Sequence, residues 1–503
     1  MAFVDLQMPP GMSRNGTPRQ NRGRWYDGSL VRWVQGRMQP VGGWEKASDV
    51  AADGRICGLH AWWGNSEFAY IAQGTTRSLS ILSGGTTRNI TPTDLIVGRD
   101  MASQGSGFGV GPYDREEYGT ERSEASASIV LEAMSWSMDS FGTFLVACSS
   151  ADGRVLYWDP APGAMDKAEP VANAPVRCRA VLTTDERHLM VVGPEGARDR
   201  IAWSDREAFD DWTYDDQTSL AGFLTVKTDG TLRTALRVGA SILLLSDVDA
   251  FQVNYLGSTL VYGAQRVGTA CGVISARAVV ATNDFAVWMG KNGFFIYQGY
   301  VKPLSCDVWD WIYRDLNDVQ RTQIVAGHNT EFSEVWWFFP SEGSPINNRY
   351  VAWNYRENHW TLGYLGRDAW LDNGVVKYPL ASGTDRMLYQ HEDGYLAAGK
   401  ARIGDVWARS APMEMSEGDR TLAVTSLIPD RDSTGTHRLE YRFFTRFTPT
   451  STERTYGPYR ADVDGYTDTR FTGRQAEMRV DIREDGDWRL GSLRMDAKVA
   501  GKR

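Results

Sequence analysis

A hairpin that recurs along the middle of the chain limits what this sequence can fold into. Phe144-Leu-Val-Ala-Cys148 leads through Asp152-Gly153 into Val155-Leu-Tyr-Trp158. Phe285-Ala-Val-Trp-Met289 leads through Asn292-Gly293 into Phe294-Phe-Ile-Tyr297, and Met387-Leu-Tyr-Gln390 through Asp393-Gly394 into Tyr395-Leu396. Apolar strands joined by Asp-Gly or Asn-Gly are a strong hairpin signal, because both turn residues tolerate positive φ. Looser copies begin at Phe68, Leu189, Ile242 and Val335. The starts at 68, 144, 189, 242, 285, 335 and 387 are 43–53 residues apart after a first gap of 76. Short strands at such a period are the mark of β-propeller blades, whose ring hides most strand edges.

Residues 50–407 are therefore expected to form a propeller of six or seven blades in a mainly β chain, with two packed β-sandwiches as the rival. The long first gap holds a Gly-rich, aromatic insertion at about 98–131. Residues 408–503 carry Arg-rich alternating strands (Leu439 to Phe447, Ala476 to Ile482, Trp488 to Met495) that predict a separate β-sandwich-like platform with one wet face. Val308, Trp311, Ile312 and Leu316 share one face of a helix predicted over 307–317, capped by Ser305 or Asp307.

Composition removes other classes. At 42% hydrophobic and 23% charged, 503 residues can bury a core and are not disordered. No apolar run is long enough for a transmembrane helix, and the first residues lack the basic-then-apolar order of a signal peptide. The five cysteines are scattered without a CxxC, which argues against a disulfide framework or zinc site and for buried thiols in a reducing compartment.

Charge is uneven. Residues 1–46 sum to +4 and residues 47–231 to −12. Residues 1–49 read as a basic arm whose Arg14, Arg19, Arg22 and Arg24, with Arg32 and Arg37, suit phosphates or an acidic neighbouring subunit. The acidic body is a poor clamp for duplex DNA.

The sequence offers no catalytic signature: no HExxH, GxSxG, SxxK or P-loop. Gly105 to Gly111 is followed by Pro112 rather than by a helix, so it reads as a loop, and its Phe108, with Tyr113 and Tyr118, suits contact with a partner. Asp205, Glu207, Asp210, Asp211, Asp215 and Asp216 could serve a glycosidase or gather a cation, but they read as solvated acids of an inter-blade loop. Trp62-Trp63 and Trp336-Trp337 would suit sugar binding, yet neighbours in a strand point to opposite faces, so at least one of each pair belongs to the core. Not an enzyme, with no cofactor and no metal, is the expectation.

Several strings carry a resemblance. These are Arg22-Gly-Arg-Trp-Tyr-Asp-Gly-Ser-Leu-Val-Arg-Trp33 with Gly36-Arg-Met-Gln-Pro-Val-Gly-Gly-Trp44, Gly107 to Tyr113 with Tyr118-Gly-Thr120, Val155 to Pro160, Ala202-Trp-Ser-Asp205 with Asp211-Trp212, and Phe471 to Gln475 with Asp487 to Gly491. Through them the chain resembles the nozzle, or tail-hub, proteins of short-tailed double-stranded-DNA bacteriophages, also called packaged-DNA stabilisation proteins. The resemblance implies a virion protein of the phage tail, made in the host cytoplasm. It implies a homohexameric ring below the head-to-tail adaptor that docks tail fibres or spikes. Such a ring retains packaged DNA and conducts it at ejection without sequence-specific binding, and part of the acidic charge would face that channel. Arg14 to Arg37 and the platform would then make subunit and adaptor contacts, so loss of residues 1–24 would leave the propeller folded but block the ring. A carbohydrate- or receptor-binding propeller is the alternative, and a propeller glycosidase a further one.

Overall fold

The computed structural model describes residues 2–65, 68–105, 126–161, 163–214, 218–257, 260–414, 420–448, 450–462 and 464–501. Among the described residues, seven four-stranded antiparallel sheets follow one another between residues 44 and 391. Blades 1 to 6 span residues 56–89, 136–170, 180–225, 232–268, 279–304 and 325–363. Blade 7 takes three strands from residues 367–391 and its fourth, Trp44–Lys46, from near the N-terminus. The first strands of successive blades stand side by side, and that of blade 7 lies against that of blade 1. The ring is closed, and the chain is a seven-bladed β-propeller.

The hairpins located in the sequence coincide with the second strands of blades 1 to 6, such as Ala69–Thr75 in blade 1 and Glu334–Phe339 in blade 6. These strands lie between neighbouring blades. Glu334–Phe339 is buried at every position and Leu189–Val192 likewise, so they read as continuous apolar runs.

The last hairpin needs correction. Leu388–His391 is the third strand of its blade, and Tyr395-Leu396 does not pair back on it. Its partner is Trp44–Lys46, and the Asp393-Gly394 turn is held from the N-terminal side by Gly43 N–H donating to Gly394 O at 2.7 Å. Blade 7 is thus sealed by strands from the two ends of the ring's sequence, which ties ring closure to the fold of residues 25–46.

The platform is a two-sheet sandwich, but it is not built from residues 408–503 alone. One sheet runs Ala2–Leu6, Leu493–Ala500, Thr421–Pro429, Thr467–Gly473. The other runs Trp25–Ser29, Trp407–Ser410, Gln475–Ile482, Leu439–Arg446, Arg454–Arg460, with Met413–Glu414 pairing at its side. Phe443 of one sheet stacks on Phe471 of the other, ring centres 4.2 Å apart. The segment read as a basic arm therefore supplies an edge strand to each sheet. Nor is the platform separate: Trp25, Trp33, Trp337, Trp360, Tyr441 and Trp488 belong to one continuous hydrophobic core that crosses from the platform into the blades. Polar contacts follow the same path, with Met12 N–H donating to Trp360 O at 2.7 Å and Leu30 N–H to the Tyr350 hydroxyl at 2.8 Å.

The helix is a shorter segment than the sequence suggests, Trp309–Arg314, without a side-chain cap from Ser305 or Asp307. Its predicted face is correct: Val308 and Ile312 are fully buried and Trp311 nearly so. All five cysteines are buried and free.

Candidate functional site

The seven first strands enclose a cavity of about 500 Å³ on the ring axis. Gly58 and His60 of blade 1, Trp136 and Asp139 of blade 2, Arg237 of blade 4 and Arg277 at the start of blade 5 contribute to its wall. Its charged lining is mixed. Asp139 receives an N–H of Arg237 at 3.2 Å and the backbone N–H of Thr183 at 2.8 Å, while Arg237 also donates to Thr183 O at 3.0 Å. Burial lowers the pKa of His60, which stacks on Trp62 at 5.8 Å. A space of this size suits a small molecule or a side chain.

One end of the axis is richer in charge. The first strands run the same way along the axis, so the residues that precede them gather at one mouth. Arg55 enters blade 1, Arg277 enters blade 5, and Arg367-Asp368 open blade 7. Arg55 is 4% exposed and Asp368 2%. Arg277 donates to Asp368 O at 2.5 Å, Arg55 to Met134 O at 2.7 Å, and Arg367 to His391 Nε2 at 2.9 Å. Desolvation, with Arg55 as a like charge, pushes the Arg277 pKa down to about 10. Burial raises the pKa of Asp368 despite three nearby guanidiniums. Nothing in the linear sequence signals this cluster, whose members lie in segments far apart.

The predicted partner residues divide. Arg14 pairs with Asp27 at 2.8 Å and lies over the Tyr26 ring at 5.0 Å, and Arg24 pairs with Asp307 at 3.3 Å. Both are engaged within the chain. Arg19 reaches Glu414 at 3.5 Å while 71% exposed, and Arg22 is exposed. Arg32, read with the basic arm, is buried: it donates to Glu334 at 3.0 Å and to both oxygens of Glu392 at 2.6 and 2.9 Å. It cannot meet a phosphate. Phe108, Tyr113 and Tyr118 lie outside the described residues.

The acidic cluster is turn chemistry. Asp205 accepts Leu220 N–H at 2.8 Å, and Asp211 accepts Thr213 N–H at 2.9 Å, within the connection between the third and fourth strands of blade 3. Asp215 and Asp216 lie outside the described residues. Trp62 is buried and Trp63 is 55% exposed, whereas Trp336 and Trp337 are both core. Among the described residues no group of three or more His, Cys, Asp or Glu side chains could hold a metal ion, and no helix is long and apolar enough to cross a membrane.

No protein-family profile matches the chain. No curated protein matches it either. Among solved structures it is similar to the WD40 domain of Pan2 from Neurospora crassa, at 8% identity and a TM-score of 0.38 over 71% of this chain and 95% of that one. It is also similar to Hsv2 of Kluyvelomyces marxianus, at 8% identity and a TM-score of 0.31 over 50% of this chain and 70% of that one. The class the structure defines is a β-propeller with a sandwich platform fused to its rim.

Proposed function

We propose that the chain is a structural subunit of a phage tail, a nozzle or hub protein whose copies ring the DNA path below the head-to-tail adaptor. The observation that carries this reading is where the resembling strings lie. Gly36 to Trp44 and Asp487 to Gly491 meet through paired backbone hydrogen bonds between Met38 and Leu490, at 2.9 and 2.8 Å. Trp44 goes on to close blade 7, and Arg32 of the neighbouring string locks to blade 6 through Glu334. These three strings, Arg22 to Trp33, Gly36 to Trp44 and Asp487 to Gly491, are joints between propeller and platform, whereas Val155 to Pro160 and Ala202 to Asp205 lie in blades 2 and 3, and Gly107 to Thr120 lies outside the described residues. A tail subunit needs such rigidity, because it must present fixed surfaces to a ring neighbour and to the adaptor at once.

In this reading DNA passes between copies and not along the propeller axis, whose cavity is of small-molecule size. The exposed Arg19 and Arg22 then serve contacts between chains, where guanidinium pairs well with carboxylate. Fibres or spikes dock on outer surfaces of the ring. Antibody against the purified chain should label the tail of the phage that encodes it; label on the capsid, or none on the virion, would contradict the assignment.

One observation favours receptor binding as a second reading. Trp63 and Phe68 are 55% and 60% exposed, and Gly64 N–H, beside Trp63, donates to Phe68 O at 3.0 Å. A glycan array probed with the wild type and with Trp63→Ala separates the readings: Trp63-dependent binding supports a receptor-binding propeller.

A further inference from the structure

Among the described residues, the mouth of the propeller axis holds more buried guanidinium charge than buried carboxylate charge. Arg55, Arg277 and Arg367 converge there on a single buried carboxylate, Asp368. Arg367 is the better accommodated of the three: it bonds His391 and Gly366 O and lies over the rings of Trp44 and Tyr389, at 5.0 and 5.2 Å, which leaves its Nη2 alone buried without a partner. Asp100, the next carboxylate, feels the charge of Arg55, but its oxygens are taken elsewhere: it accepts from the Thr76 hydroxyl, pairs with Arg386 at 3.5 Å and receives the backbone N–H of Arg55, not its guanidinium. The Cys57 thiol beside the cluster is pushed up by burial and stays neutral.

Arg55 and Arg277 are left. Among the described residues, each guanidinium makes one hydrogen bond, to a carbonyl, and neither has a carboxylate oxygen within salt-bridge distance. Nε and Nη1 of Arg55 and Nε and Nη2 of Arg277 are buried without a partner. A guanidinium buried with unmet N–H groups is costly twice over, once for hydrogen bonding and once for charge. Water entering the cavity would meet the first cost but not the second. An anion meets both, and two guanidinium edges suit the paired oxygens of a phosphate or carboxylate. Arg277 lines the axial cavity, which gives such an anion room.

We infer that Arg55 and Arg277 form a binding site for a small oxyanion, a phosphate or a carboxylate, at the mouth of the propeller axis. The site binds the free ion, and it does not depend on the tail assignment.

The test is thermal unfolding of the full chain in inorganic phosphate or acetate, against chloride at equal ionic strength. A ligand that binds only the folded state raises Tm, so at least one of the two oxyanions raises it by a few degrees. The phosphate and acetate arms identify the preferred group. Arg277→Met abolishes the shift and, without oxyanion, melts no lower than the wild type, because the charge it removes was unbalanced. Arg55→Met serves as the second variant, and titration calorimetry on the wild type reads binding whether or not a variant folds. Equal Tm in phosphate, acetate and chloride, or a shift kept in both variants, overturns the inference.

Discussion

Arg32 and Glu392 are 360 positions apart in sequence, yet the guanidinium of one grips both carboxylate oxygens of the other at 2.6 and 2.9 Å. The same guanidinium holds Glu334 at 3.0 Å and covers the Phe332 ring at 3.7 Å, while Asn329 and Gly42 N–H complete the shell of Glu392. Side chains of the three are 1%, 4% and 2% exposed in the order Arg32, Glu392, Glu334. This triad is where the N-terminal segment is fastened to the propeller.

Arg32→Met strands two buried carboxylates and should cost about 3–5 kcal/mol at neutral pH. Burial already raises the Glu334 pKa, and loss of Arg32 raises it further. A carboxyl whose folded pKa lies above its unfolded value binds more protons in the folded state, so its contribution to stability falls as pH rises and recovers on acidification. The gap between variant and wild type should narrow from pH 7.5 to 5.5 in denaturant titrations. A gap below about 1 kcal/mol at both pH values would show that the triad does not hold the segment.

His391 predicts the opposite slope. Burial comes first and the charges of Arg367, Arg32 and Arg402 follow in driving its pKa well below the ordinary value. Its Nε2 accepts the Arg367 N–H, which requires a neutral ring. The unfolded chain takes up a proton near pH 6.5 that the folded chain refuses, so stability is lost as pH falls below that point, by up to about 1.4 kcal/mol per unit. His391→Gln keeps an acceptor and should flatten the slope between pH 6.5 and 5; an unchanged slope would remove His391 as its source.

Two turn glycines separate backbone strain from close approach. Gly153 and Gly394 both have positive φ, +74° and +62°. A Cβ on Gly153 would lie 2.7 Å from the Arg177 backbone, whereas Gly394 faces open space. Gly394→Ala should cost about 1–2 kcal/mol, the left-handed penalty alone, and Gly153→Ala measurably more. Equal costs in paired melts would mean that the blade 2 turn relaxes away from Arg177.

Ring closure gives a sharper outcome. A chain that begins at residue 47 lacks the strand opposite Tyr389–His391 and leaves that blade edge unpaired. Open edges template association, so this truncation should be recovered as aggregate. A soluble product with the wild-type Tm would refute closure by Trp44–Lys46.

Much of the architecture was legible because it is local. Blades 1 to 6 each carry a largely apolar second strand beside a turn, and neither depends on distant residues, so their positions follow from periodicity. Blade 7 escapes the periodicity because its outer strand is three residues long and lies more than 340 positions from its partner. The same distance hid the fates of the arginines: no local pattern tells Arg32, which meets Glu334 and Glu392, from Arg22, which stays exposed. The charged axial mouth was invisible for the same reason, since the ring alone brings Arg55, Arg277 and Asp368 together.

Native mass tests most directly whether this propeller and platform form one subunit of a ring. Light scattering of the 56.1 kDa chain, alone and with a purified head-to-tail adaptor, should give six copies, about 340 kDa, or the same mass added to the adaptor. A species that stays at 56.1 kDa in both samples would contradict the account.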